Sequence, residues 1–213
     1  MRNLTKLVCA FVGMVLVSAC QSTTDNSGNP MSLKSANADK SDSRFWVPPM
    51  FLSKDSSFES QLRDNKHPIE TYQLPNNLGW LKIQHLSGRI VTFNRNTIES
   101  IQSKSAISKY FSEVFKSLGD DRVVFGDELS DVFGQYYIVQ YRKYVCVVGE
   151  SAASTNIRVA AVAHSGRKHN TIVTMYYCST RASDLEPAIQ FLQDPKLVED
   201  RSAFQAYLTS LSE

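Results

Sequence analysis

The sequence predicts an α+β protein: an antiparallel sheet of about five strands with a long helix and two C-terminal helices packed on it. Three features point there. Gln135 to Val148, Asn156 to His164 and Asn170 to Cys178 are strand-like runs rich in β-branched and aromatic residues. Ile107, Tyr110, Phe111, Val114, Phe115 and Leu118 recur at helical spacing, after the capping box Asn96-Thr97-Ile98-Glu99 and as far as Gly119. Two amphipathic stretches close the chain: Leu185, Ile189 and Leu192 align after Asp184, and Phe204, Leu208 and Leu211 align after Asp200.

The globular domain occupies residues 45–213 in this plan. Ahead of it, Gln21 to Arg44 is mostly small and polar. Such a composition cannot bury enough surface to offset the entropy of ordering, so a disordered tether is expected. A flexible chain of this length typically spans about 27 Å. Phe45-Trp46-Val47-Pro48-Pro49-Met50-Phe51-Leu52 then interrupts the polar run. Its paired prolines make it extended, and it is expected to pack on the domain rather than to stand free as a docking segment. Trp80 to Leu86 and Arg89 to Phe93 flank Ser87-Gly88, which suggests a hairpin. Within the later strands Ile157, Val159, Ala161 and Ala163 share one face, as do Val173, Met175 and Tyr177. The aromatic stripe of the long helix reads as core. Pro187 suits a first helical turn, and Pro195 separates the last two helices.

The first nineteen residues follow a different logic. Arg2 and Lys6 precede an uncharged run from Leu7 to Val17, which ends in Leu16-Val17-Ser18-Ala19-Cys20. The run is shorter than the roughly 20 apolar residues of a membrane-spanning helix and matches a secretory signal. The five closing residues resemble a bacterial lipobox. That resemblance implies cleavage before Cys20, acylation of Cys20 by chains such as palmitate, and stable membrane attachment through two or three of them. With Gln21 rather than aspartate after the cysteine, it also implies an outer-membrane location facing the periplasm.

Removal of the signal changes the charge. Loss of Arg2 and Lys6 leaves 21 basic against 21 acidic residues, so no general attraction to nucleic acid is expected. Charge is unevenly spread, with bases from Arg142 to Arg181 and acids from Gly119 to Asp131. Arg167 and Lys168, at the turn between the last two strands, are candidate docking residues. Cys146 and Cys178 remain as an even pair, for which an oxidising compartment favours a disulfide; the alternative is two buried thiols. A simple three-strand meander would separate the two cysteines by about 10 Å, too far for a bridge. Their strands are therefore expected to be direct neighbours or to bend together at their ends, with no tight hairpin from Gly149 to Thr155.

Catalytic and metal motifs are missing from the chain: it has no Gly-x-Ser-x-Gly, phosphate loop, His-Glu-x-x-His or zinc-spaced cysteine pair. His67 and His85 read as structural. His164 and His169 flank a turn beside Arg167 and Lys168, a poor setting for a metal. Ser165 next to His164 lacks a nearby orienting carboxylate. No catalytic residue, metal or cofactor is therefore assigned.

Pro75, Gly79-Trp80 and Gly134-Gln135-Tyr136-Tyr137, in the order hairpin, helix, long strands and terminal helix, look like a PsbP-like domain over Tyr72 to Asp194. That resemblance implies a small lipid-anchored or lumenal accessory protein without catalytic residues. The sequence thus leads to an expectation of a lipid-anchored periplasmic accessory or assembly protein binding another envelope component, protein or polymer. A small-ligand carrier is the alternative, and an envelope hydrolase is a more distant one.

Overall fold

The computed structural model describes residues 33–36, 38–63, 66–87, 93, 109, 111, 112, 116, 124–131, 134–155 and 169–211. Its centre is one antiparallel sheet. The strands are β1 (Leu33–Ala36), β2 (Ser57–Arg63), β3 (His67–Gln73), β4 (Gly79–His85), β5 (Val124–Asp131), β6 (Gly134–Tyr141), β7 (Tyr144–Ala153) and β8 (Thr171–Ser179), hydrogen-bonded in the order β1-β2-β3-β4-β8-β7-β6-β5. Two sequential meanders, β1 to β4 and β5 to β8, are thus joined edge to edge by the β4–β8 pair. The α+β expectation holds at this level. The strand number does not: the described residues form eight strands, not about five.

Part of the difference in strand number has a local cause. Gln135 to Val148, read as one strand, is β6, a two-residue turn and part of β7. Tyr141 pairs with Tyr144 around Arg142 and Lys143. The turn lacks a glycine or asparagine signal: Arg142 itself takes φ 54°. Gln140 Nε2 braces it by donating to Arg142 O (3.0 Å) and Tyr144 O (2.8 Å), and the Arg142 guanidinium lies 5.4 Å from the Tyr141 ring. Of the hairpin expected at Ser87-Gly88, residues 88–92 lie outside the described residues, and β4 itself pairs with β3 on one edge and β8 on the other. Asn156 to His164 lies outside the described residues.

One face of the sheet buries Tyr72, Leu81, Ile83, Tyr136, Val147, Val173 and Met175. Against them pack Phe45, Val47 and the short helix α1 (Pro49–Leu52), together with α2 (Glu186–Gln193) and α3 (Arg201–Ser210) through Leu185, Ala188, Phe191, Leu192 and Phe204. Burying one phenyl ring such as Phe204 contributes about 2–3 kcal/mol. Asp200 caps α3 by accepting from the N–H groups of Ser202 and Ala203, as expected. Asp184 does not cap α2. It accepts from Ser179 Oγ (2.6 Å) and pairs with Arg181 (3.2 Å), fixing the exit from β8. Leu211 is exposed.

The other face buries Tyr137, Val139, Tyr141, Cys146, Val148, Tyr176 and Cys178. Phe111 is helical and packs on this cluster; the rest of the expected helix is, apart from Lys109, Ser112 and Lys116, outside the described residues. Cys146 and Cys178 are bonded, opposite each other on adjacent β7 and β8 with Cα atoms 4.0 Å apart. Their strands are direct neighbours, and β7 runs straight through Gly149 to Ala153. Gly149 is needed there, since a Cβ would lie 2.8 Å from the Tyr136 ring and 2.6 Å from Gln135 O.

Candidate functional site

The expected tether is shorter than its composition suggests. Leu33–Ala36 pairs with β2, and Asp39 caps a 3-10 turn at Lys40–Asp42. Arg201 donates to Ser41 O and Ser43 O, and a buried carboxylate holds the end of this polar stretch. Glu70, projecting from β3 and 1 % exposed, accepts from Ser43 Oγ (3.0 Å), Arg44 N (2.9 Å) and Tyr72 OH (2.9 Å). Burial pushes its carboxyl up from the usual range, and these three hydrogen bonds oppose the shift.

Beyond the anchor the chain alternates. Phe45 and Val47 point into the core, and Trp46 between them is half-buried at the surface. Backbone bonds from Trp46 N to Lys196 O (2.9 Å) and from Val198 N to Arg44 O (2.8 Å) zip this segment to the loop between α2 and α3. The Trp46 ring stands edge-on to Phe204, 5.2 Å away at 89°, and tilts against Tyr207 at 5.6 Å. It forms a wall of two grooves of about 420 Å³ each, which share Trp46, Asp194 and Lys196. The first adds Pro48, Pro49, Gln190 and Tyr207; the second adds Ser154, Thr155 and the carboxylates of Glu199 and Asp200. Gln190 donates to Glu186 (2.9 Å), and Asp194 pairs with Lys196 (3.2 Å), both largely exposed. The sequence suggested a choice between packing and docking for Phe45 to Leu52. The alternation lets the same segment anchor itself and present Trp46 and Pro49.

A second polar cluster lies where β4, β7 and β8 end. His85 Nδ1 is 2.9 Å from Thr171 Oγ1, which is 2.8 Å from Thr155 Oγ1; Thr155 N–H donates to Asn170 Oδ1 (3.0 Å). A histidine beside a hydroxyl is the start of nucleophile chemistry, but Thr171 is fully buried. Burial, with Arg44 and His67 nearby, lowers the His85 pKa to about 4, so the imidazole is neutral and a weak base at pH 7. The arrangement holds strand ends together. It also sets a pH dependence: below about 6.5 the unfolded chain binds a proton that folded His85 refuses, so stability falls as pH drops from 6.5 to about 4. NMR titration should place His85 near 4, and His85→Gln should remove about 2 kcal/mol of acid sensitivity across that window.

On the opposite face, registered pairs set Lys82, Thr174 and Glu150 side by side across β4, β8 and β7. Thr174 Oγ1 donates to Glu150 (2.8 Å). Burial lowers the Lys82 pKa and raises that of Glu150.

Cys20, His164, Ser165, Arg167 and Lys168 lie outside the described residues. His67 accepts from Ser87 N–H (3.0 Å), and His169 is buried. Among the described residues no group of three or more His, Cys, Asp or Glu side chains could hold a metal, and no helix is long and apolar enough to cross a membrane. Comparison with family models, with curated proteins and with solved structures finds no match. The lipobox and PsbP-like resemblances therefore rest on the residues that suggest them.

Proposed function

We propose that this chain is a lipid-anchored accessory or assembly protein of the bacterial cell envelope, held in the outer membrane on its periplasmic side, whose domain binds another envelope component at the Trp46 grooves. The observation that carries the reading is the rigid presentation of Trp46 at the surface between two open, mixed apolar and polar grooves. Aromatic side chains braced in this way are favoured binding anchors. The signal-like start and Cys20 support the location; the mature chain's zero net charge speaks against a nucleic-acid partner. The carrier alternative calls for an enclosed apolar cavity, whereas both grooves are open. An enzyme reading has its best candidate in His85 and Thr171, whose burial and lowered pKa suit a structural role.

Two measurements test this. Cys20→Ala should leave an unprocessed precursor and no acylated mature form, with the folded domain unchanged. Mature-size protein still in the membrane fraction would defeat the anchor. A photo-crosslinker at Gln193, in the groove, should capture an envelope component in intact cells that one at exposed Gln205 on α3 does not. Identical products from both positions would remove the grooves from the binding face.

A further inference from the structure

We infer that the Trp46 grooves take an uncharged glycan chain, an inference that rests on the reading of this face as the binding surface. Size and continuity come first. The two grooves, each about 420 Å³, meet at Trp46, Asp194 and Lys196, so together they form one strip on both sides of the Asp194 to Leu197 segment. An open strip accommodates internal units of a polymer, where a closed cavity would demand a free end or a small molecule.

The chemistry of the walls then selects among polymers. Trp46 is braced by Phe204 and Tyr207, so its ring is an ordered apolar platform that loses little freedom on binding. Beside it are groups that both donate and accept: Gln190, whose amide oxygen is not used in its bond to Glu186, and the exposed amide of Gln193. Asp194, paired with Lys196 where the grooves meet, adds an acceptor, and Glu199 and Asp200 on the second groove add further carboxylates, so acceptors outnumber the single cation along the strip. A sugar ring matches this set. Its C–H face lies on an aromatic ring, and its hydroxyls donate to the carboxylate and exchange hydrogen bonds with the amides. A polyanion would meet the carboxylates of Asp194, Glu199 and Asp200 with Lys196 as the one cation lining the strip. A proline-rich segment, the other ligand that favours aromatic walls, offers carbonyl acceptors and few donors, and would leave Asp194 and the amide oxygens facing lone pairs.

The test uses the full lipidated chain purified in detergent. Chitohexaose, a neutral β-linked N-acetylhexosamine oligomer, should bind saturably in calorimetric titration. Gln193→Ala combined with Asp194→Ala should weaken that binding about tenfold or more while Tm stays unchanged, because both side chains are exposed. Folded wild-type protein that does not bind chitohexaose, equal binding by the double variant, or tighter binding of decaproline would each overturn the inference. Crosslinking from Gln193 to an envelope protein together with no chitohexaose binding would overturn the glycan assignment and leave the proposed function standing. Loss of both signals would overturn both.

Discussion

Replacing Glu70 by alanine should lower the unfolding free energy by about 2–4 kcal/mol in urea denaturation at pH 7. The carboxylate is buried and receives three hydrogen bonds, from Ser43 Oγ, Arg44 N and Tyr72 OH. Truncation leaves a void and strands those donors away from water, which costs about 1–3 kcal/mol for each donor that finds no substitute. Ser43 has one, since its hydroxyl already lies 3.0 Å from Phe45 O. Tyr72 OH keeps the Ser43 hydroxyl within reach, so Arg44 N is the donor left stranded. The loss should also release Trp46 from the α2–α3 loop, seen as increased amide exchange at residues 44–47, because Glu70 ties down the chain just before it.

Glu70→Gln separates geometry from charge. The amide oxygen can accept from Arg44 N, while the amide nitrogen can donate to the hydroxyls of Ser43 and Tyr72, both of which are able to accept. This variant should therefore be much milder than alanine. It should also differ from wild type with pH in a set direction. Burial raises the folded pKa of Glu70 above its unfolded value, so the wild-type advantage is present at acid pH and is lost as pH rises from about 4.5 through the folded value. Wild-type stability that instead climbs relative to Glu70→Gln over that range would show that the three hydrogen bonds outweigh burial.

Glu70 also explains why part of the fold was illegible. The buried positions of β3 are Pro68, Glu70 and Tyr72, so a carboxylate and a proline occupy places that an alternating strand pattern reserves for apolar residues. Its neighbour β2, Ser57–Arg63, is largely polar and is fixed by pairing rather than by burial. Neither strand could be read from hydrophobic period. Where burial and chemistry agree, the sequence was clear: Asp200 starts α3, Thr171–Ser179 forms a strand, and Phe45 and Val47 enter the core. Between β6 and β7 the difficulty was reversed. Both strands carry apolar residues on both faces, and the turn between them is marked only by the charged pair Arg142-Lys143, with no glycine, asparagine or proline. The groove was half legible. Trp46 and the prolines stood out, but Gln190, Gln193 and Asp194 are ordinary surface residues whose convergence on Trp46 depends on the backbone bonds between residues 44–46 and 196–198.

Reduction of the Cys146–Cys178 bridge should cost about 3–4 kcal/mol of stability. The bridge links residues 32 apart in sequence, and closing a loop of that length removes about this much conformational free energy from the unfolded chain in the entropy model. The folded state is expected to change little. β7 and β8 remain paired over nine registered positions from Val145–Ser179 to Ala153–Thr171, and each is flanked by a second strand. The thiols stay in a cluster with Val139, Val148 and Tyr176, where reduced cysteine is an acceptable small apolar group. The effect should therefore sit in the unfolded state. Urea unfolding with reductant should show a lower midpoint and a steeper dependence on denaturant, because an unbridged chain exposes more surface. Native-state chemical shifts away from residues 146 and 178 should be preserved. A lower midpoint with an unchanged slope and widespread native shifts would place the effect in the folded sheet instead, and recovery of both cysteines as free thiols by non-reducing peptide mapping would remove the bridge itself.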